Sequence, residues 1–146
     1  MTFEKIDHQN NSRPEGKPCL LIYGYDETAL NKIKNYALAY NIFELVHVTP
    51  TTIGNTLQNL IDHTEKPTFG VNQVDAQAIV LNAVSPQELN NFVINFKTLG
   101  LSNPLFAVVT PISINWPFYE LLQDLLEERA MIALNKKFSK NDSDRS

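Results

Sequence analysis

The chain has 146 residues, of which 43% are hydrophobic, and this length and composition predict one folded domain with an ordinary core. Its net charge is −4, and residues 19–129 carry 11 acidic and 5 basic residues, about −6, whereas residues 136–146 carry about +2. An acidic body argues against nucleic acid as a partner, because neutralising phosphates needs a basic face. No apolar run approaches the roughly 20 residues of a membrane helix, so we expect no membrane partner.

The N-terminus and the cysteine content indicate the compartment. Residues 1–17 contain neither an apolar h-region nor a small-residue cleavage site. Cys19, the one cysteine, cannot form an internal disulfide, and neither it nor the scattered histidines have metal-ligand spacing. We therefore expect a cytoplasmic protein with no metal and no cofactor.

Four apolar runs predict strands that are covered on both faces: residues 19–23, 43–48, 78–81 and 105–109. Residues 1–18, which are mostly polar, are predicted to be a flexible N-terminal arm. The longest loop of the body is predicted at residues 64–77, and residues 135–146 are predicted to be a flexible C-terminal tail.

Each predicted strand is followed by apolar residues at helical spacing. Asp26 is placed to cap the first helix, and Thr51 or Thr52 the second. The stretch Ser85-Pro86-Gln87-Glu88 is a capping box with proline at the first helical position, which predicts the start of the third helix. Asn115 is the predicted N-cap of the fourth helix, which follows through Phe118, Leu121, Leu122, Leu125 and Leu126.

The two halves of this pattern align with each other. Placing Cys19 on Ala78 superimposes the first and third strands, and two residues more superimpose Val48-Thr49-Pro50 on Val109-Thr110-Pro111. The same order of elements with the same Thr-Pro turn favours an internal duplication, with halves at residues 19–63 and 78–130.

This order predicts a single α/β domain over residues 19–134. We expect three layers, with a four-stranded, mostly parallel sheet in the order 2-1-3-4, built from two duplicated β-α-β-α halves. A sheet with helices on one face only is the alternative.

Polar side chains follow the predicted strands. Ligands of open α/β sheets bind at the carboxyl ends of strands where the strand order reverses, here between the first and third strands. The candidate ligand-binding residues at this rim are Tyr25, Asp26, Thr49, Asn82, Thr110, Ser113 and Asn115. Helix N-termini favour anions, so a small anionic ligand is one expectation. The alternative is that these side chains only cap their own helices.

Trp116 and Tyr119 are the candidate partner-binding residues. Large aromatic side chains near a turn can anchor a protein partner, and packing in the core is the alternative. A homodimer that pairs through the last helix is a further hypothesis, against which the charges of Glu127, Glu128 and Arg129 argue.

Several catalytic signatures are absent from the sequence. It contains no G-x-G-x-x-G, Walker or G-x-S-x-G motif, so no catalytic residue is predicted. The layout is similar to that of a phosphoacceptor receiver domain, with Asp26 and Glu27 after the first strand. However, Asn82 stands where the acceptor carboxylate is needed, and an amide cannot be that nucleophile. We therefore reject phosphotransfer.

The second half carries a family resemblance. Residues 105–116, with Val-Thr-Pro at 109–111 and Asn115-Trp116, are followed by Glu120-Leu121-Leu122. This pattern, after a β-α unit at residues 78–99, resembles the bacterial domain-of-unknown-function family numbered 3783. The tryptophan position aligns with Asn55 in the first half, so any role of the aromatic side chain is not shared. The resemblance implies a fold and no activity.

The sequence therefore favours a non-catalytic binding or protein-interaction module over an enzyme, because the rim lacks a paired acid and base. The expected partner is an unknown protein or a small anionic ligand. The alternative is a small enzyme or sensor that acts on an anionic or phosphorylated molecule, with Tyr25, Asp26, Thr49 and Thr110 near its site.

Overall fold

The computed structural model describes residues 13–70 and 73–144, and from residue 136 onward it describes the backbone alone. Strands and helices alternate in the order β1 Cys19–Tyr23, α1 Glu27–Leu38, β2 Leu45–Val48, α2 Leu57–Ile61, β3 Ala78–Asn82, α3 Pro86–Asn95, β4 Leu105–Val108 and α4 Phe118–Asp144. Short 3₁₀ turns occupy Phe96–Leu99 and Ser113–Asn115. Residues 1–12 of the predicted arm lie outside the described part of the chain.

The strands form one sheet in the predicted order β2-β1-β3-β4. β1 and β2 are parallel, and so are β3 and β4, but the central strands β1 and β3 are antiparallel. The sheet is therefore mixed, and the expectation that β1 and β3 end at the same edge is wrong.

The connection between β2 and β3 enters β3 from the edge where β1 ends. Tyr23 at the end of β1 donates its hydroxyl to the carbonyl of Val74, at 2.8 Å, so the segment that enters β3 lies at the edge where β1 ends.

Both faces of the sheet are covered by helices. One buried cluster joins alternate strand residues such as Leu21 and Val80 to Leu57, Leu60, Leu121 and Leu122 of α2 and α4. The other joins Leu20, Ile22, Ile79 and Leu81 to Ile33 of α1 and Phe92 of α3. This confirms the three-layer prediction, and the alternative with helices on one face is wrong.

The helix caps agree with the sequence for α1 and α3 and differ for α2 and α4. Asp26 accepts from the N–H of Ala29 at 2.8 Å, and Ser85 and Glu88 form the predicted capping box. The cap of α2 is Thr56 rather than Thr51 or Thr52.

The beginning of α4 is capped by other parts of the chain. Its N–H groups at Phe118 and Tyr119 donate to the carbonyls of Asn55 and Ile53, at 2.8 and 2.9 Å. Asn115 lies in the preceding 3₁₀ turn, so the prediction that it caps this helix is wrong. The helix continues to Asp144, beyond the predicted domain boundary at residue 134. Within the described residues, no helix is both long and apolar enough to cross a membrane.

The two halves are related by an approximate two-fold axis. The central antiparallel register pairs Leu21 with Val80, which is its counterpart in the sequence alignment of the halves. Thr56 forms an isolated bridge with its own counterpart, Pro117. Around this bridge, Leu57 donates its N–H to Trp116 at 3.0 Å, and Phe118 donates to Asn55 at 2.8 Å.

Candidate functional site

Because β1 and β3 are antiparallel, the residues of the predicted rim lie at two opposite edges of the sheet. Tyr25, Asp26 and Thr49 follow β1 and β2 at one edge, which we call the first edge. Asn82, Thr110, Ser113 and Asn115 follow β3 and β4 and belong to the opposite side, which we call the second edge. The structure therefore does not bring the seven candidate residues together, and Asn82 lies far from the acidic residues that a receiver domain would need beside it.

The side chains at the first edge are engaged in holding the fold. Tyr25 is buried and donates its hydroxyl to the carbonyl of Ser102 at 2.6 Å, and burial raises the pKa of Tyr25 to about 12. Asp26 caps α1. The Thr49 hydroxyl lies 3.3 Å from the Thr52 hydroxyl, which also accepts from the Thr49 N–H at 3.0 Å.

The long loop covers the first edge. The Asn55 amide donates to the carbonyl of Lys66 at 2.7 Å and accepts from the Lys66 N–H at 3.0 Å. Thr68 donates its N–H to the carbonyl of Thr51 at 2.7 Å. A β-carbon on Gly24 would lie 2.1 Å from the carbonyl oxygen of Ala76. The strand ends are thus closed by Lys66, Thr68 and Ala76 of the same chain.

The second edge holds a cavity that the described residues form. Its volume is about 410 Å³, and we call it the second-edge groove. The ends of β3 and β4, the start of α3 and the N-terminal segment line it: Pro14, Glu15, Leu81, Asn82, Ala83, Val84, Ser85, Pro86, Leu89, Val108, Val109, Thr110, Pro111 and Ile114. Glu15 is the one ionisable residue in this lining, so the groove offers no acid–base pair from the described residues.

The polar candidates beside the groove have local partners. The Thr110 hydroxyl donates to Ser113 Oγ at 3.1 Å and accepts from the Ser113 N–H at 2.9 Å. Asn82 donates its amide to the carbonyl of Lys17 at 2.9 Å. Asn115 is exposed. These hydroxyls therefore stabilise the turn, in the same pattern as Thr49 and Thr52 in the first half.

Trp116 and Tyr119 are half-buried and pack against the cluster between the sheet and helices α2 and α4. The Trp116 carbonyl accepts from Leu57. Both residues therefore contribute to packing, and a role in partner binding stays a prediction.

Neither metal nor thiol chemistry is supported by the described part of the chain. It contains no group of three or more His, Cys, Asp or Glu residues arranged to hold a metal ion. Cys19 is buried, and burial raises the pKa of its thiol to about 11, so the reactive thiolate is suppressed at neutral pH.

Two features of the second edge were missed in the sequence. Ala83 has φ of 57°, in the left-handed region that favours glycine, and its counterpart in the first half is Gly24, with φ of 92°. The second is the exposed apolar surface at Val108 and Ile112, which are 37% and 72% exposed. Their counterparts are His47 and Thr51, so comparing the halves position by position would have indicated it.

Part of the second half is similar to a known protein family. No curated protein and no solved structure matches this chain. Residues 77–132, from the start of β3 into α4, match the family model described as Domain of unknown function (DUF3783). This confirms the resemblance seen in the sequence and where it lies, whereas the bacterial origin stays a prediction. The second half of this chain is therefore similar to DUF3783, a family whose description names no activity.

Proposed function

We propose that the protein is a non-catalytic interaction module that binds an uncharged, apolar segment of a partner protein in the second-edge groove. The observation that carries this proposal is the groove itself, about 410 Å³ and lined mainly by apolar side chains. A cavity of this size and composition is typical of binding sites.

The apolar surface continues beyond the cavity. Ile112 is 72% exposed, and Val108 and Pro111 border the groove. Contiguous exposed apolar surface is typical of interaction sites, because it costs free energy while it faces water.

The first edge suggests the shape of the occupant. There, residues 66–68 of the loop lie across the Thr-Pro turn and bond to Thr51 and Asn55 through backbone groups. The corresponding carbonyl at the second edge, that of Ile112, has a long 3.4 Å contact with the N–H of Asn115. An extended segment with an apolar side chain can therefore use this surface as the loop uses the first edge.

An anionic ligand, the alternative from the sequence, is less favoured. The first N–H groups of α4 donate to Ile53 and Asn55, and the Thr110 hydroxyl is bonded within its turn. The ionisable residue in the groove lining is an acid, Glu15. An anion would therefore meet one negative charge and few free donors.

The proposal can be tested by NMR with short neutral peptides that carry a central Leu or Phe, and with inorganic phosphate as the second probe. We expect the peptides to shift the amide signals of residues 82–85 and 108–112, and phosphate to shift none. Peptide shifts at residues 23–26 and 47–51 instead, or shifts at residues 110–113 with phosphate alone, would overturn the proposal.

A matched pair of variants locates the site. Leu89 lines the groove, and Leu30 is its half-buried counterpart in the first half. Leu89→Gln should weaken peptide binding about tenfold, equivalent to about 1.4 kcal/mol, while Leu30→Gln leaves it unchanged. Equal weakening by both variants would place the binding site elsewhere.

We also infer that the two halves arose by duplication. The support is the symmetric register about Leu21 and Val80, together with the same side-chain bonding in both Thr-Pro turns. Chains that contain one half alone and assemble into a symmetric pair would support this inference.

A cytoplasmic location is part of the proposal. It is supported by the single buried cysteine, which needs no oxidising compartment. Fractionation of cells that express the tagged full chain, with the protein recovered outside the cytoplasmic fraction, would contradict it.

A further inference from the structure

The two edge strands of the sheet differ in how they meet solvent. β2 and β4 are the outermost strands of the described sheet, and an edge strand exposes unpaired backbone groups that can pair with another chain. Proteins commonly protect such edges with charge.

The β2 edge carries that protection. Glu44, just before β2, bonds to Lys17 at 2.6 Å and to His63 at 3.0 Å, and His47 within the strand is exposed. A strand added here would have to displace or desolvate these groups.

The β4 edge has no such protection among the described residues. Residues 98–119 contain no charged side chain, and the counterparts of Glu44 and His47 are Leu105 and Val108. The N–H groups of Leu105 and Val109 donate to β3, so by the alternation of a strand those of Phe106 and Val108 point away from the sheet. A row of backbone donors therefore faces outward on an uncharged strand.

A second apolar groove runs along this edge. Its volume is about 280 Å³, and it lies between β4 and α4, lined by Pro104, Leu105, Phe106, Leu125, Glu128, Arg129 and Ile132. Ile132 is 54% exposed. The adjacent Glu128 and Arg129 present one charge of each sign, so that this flank can face a copy of itself.

The geometry points to a homodimer in which β4 pairs antiparallel with β4 of a second copy, forming one continuous eight-stranded sheet flanked by the two α4 helices. Charge favours a second copy as the occupant. β4 itself is uncharged, and in a two-fold pairing Glu128 beside β4 of one copy can face Arg129 of the other. A pairing between identical strands is isologous, and the charged β2 edge stops further addition, so the assembly closes at two copies.

Analytical ultracentrifugation of the full chain over a range of concentrations tests this inference. We expect a reversible monomer–dimer equilibrium for the parent. Val108→Lys puts a charge on the β4 edge, and Ile132→Glu puts one in the flanking groove; each should raise the dimer dissociation constant about 100-fold. His47→Lys, at the counterpart position of β2, should leave the dissociation constant unchanged. Circular dichroism checks that each variant is folded.

A second measurement does not depend on the variants. In the dimer, hydrogen exchange of the Phe106 and Val108 amides should slow as the concentration rises, while the outward amide of His47 stays fast. A parent that remains monomeric at about 1 mM would overturn the inference. So would a dimer that His47→Lys weakens as much as Val108→Lys does, or one that retains fast exchange at Phe106 and Val108.

The inference is separable from the proposed function, because Ile132 does not line the second-edge groove. Ile132→Glu should raise the dimer dissociation constant about 100-fold and keep the binding of neutral peptides. A dimer without peptide binding would leave this inference standing and overturn the proposed function.

Discussion

The two halves of the domain share their strand register, their Thr-Pro turns and an approximate two-fold axis, yet their strand ends are covered differently. At the first edge, Asn55 holds the loop at Lys66, and Ala76 closes over Gly24. At the second edge, Trp116 and Ala83 occupy the counterpart positions, and the described residues form a groove there. The comparison indicates that the same local structure can serve stability in one half and recognition in the other, depending on which segment lies against it.

The largest effect is expected at Gly24. Gly24→Ala would put a β-carbon 2.1 Å from the carbonyl oxygen of Ala76, at a φ of 92°. We expect a loss of about 3 kcal/mol or more in the free energy of unfolding, measured by urea denaturation. Gly100→Ala is the control, because Gly100 also has positive φ but has nothing within 4 Å, and it should cost about 1 kcal/mol. Equal losses would mean that the close covering of the first edge is unimportant.

Removing the hydrogen bonds between the Asn55 side chain and the loop should have the next largest effect. Asn55→Ala deletes the amide that bonds Lys66 in both directions and donates to the carbonyl of Thr52. Because Asn55 is buried, we expect a loss of about 1–3 kcal/mol. Hydrogen exchange at Lys66 and Thr68 should accelerate more than exchange in β3. Unchanged exchange there would show that other contacts close the first edge.

A smaller and pH-dependent effect is expected at Glu88, which has Ala29 as its counterpart in the first half. Burial acts to raise the pKa of Glu88, but the Arg13 side chain and the Ser85 N–H stabilise the carboxylate, and the net result is a pKa below 4.5. A lowered pKa in the folded state contributes stability above pH 4.5, which is lost as the pH falls through the folded-state pKa.

The Glu88→Gln variant measures that contribution, because Gln retains an acceptor for the Ser85 N–H. We expect it to be about 1 kcal/mol less stable than the parent at neutral pH, with the difference shrinking at acid pH. Urea unfolding of both proteins at about pH 7 and about pH 3 provides the comparison. A difference that does not depend on pH would contradict the role of the charge.

The smallest effect is expected at Ala83. Ala83→Gly relieves the left-handed backbone conformation, but it also removes a buried methyl group and makes the unfolded chain more flexible. These contributions nearly cancel, so thermal unfolding should show a change of less than about 0.5 kcal/mol. A large stabilisation would identify Ala83 as a strained residue retained for the second edge.

Much of the fold could be predicted because its signals are local. Four apolar runs gave the strands, and Ser85-Pro86-Gln87-Glu88 gave the beginning of α3. The strand order 2-1-3-4 followed from the repeated order of the elements. The predictions for the cap of α2 and the beginning of α4 were wrong. Both helices begin next to the bridge between Thr56 and Pro117, which is a contact between distant parts of the chain.

The candidate site could be predicted only residue by residue. The sequence correctly identified polar side chains after each strand, but it joined Asp26 and Asn82 at one rim, whereas the structure puts them at opposite edges. It passed over Val108 and Ile112, because two exposed apolar residues resemble core residues until their burial is known.

The sequence by itself determined the elements, the α/β class and the correspondence between the halves, because hydrophobic period, capping residues and turn prolines act over a few neighbouring residues. The tertiary structure alone decided the direction of β3 against β1, and hence which strand ends meet. That direction depends on the path of the chain between α2 and β3. Hydrogen bonds with Tyr23, Thr51 and Asn55, which precede this segment in the sequence, hold it in place. The same long-range contacts close the first edge, whereas at the second edge the described residues form a groove.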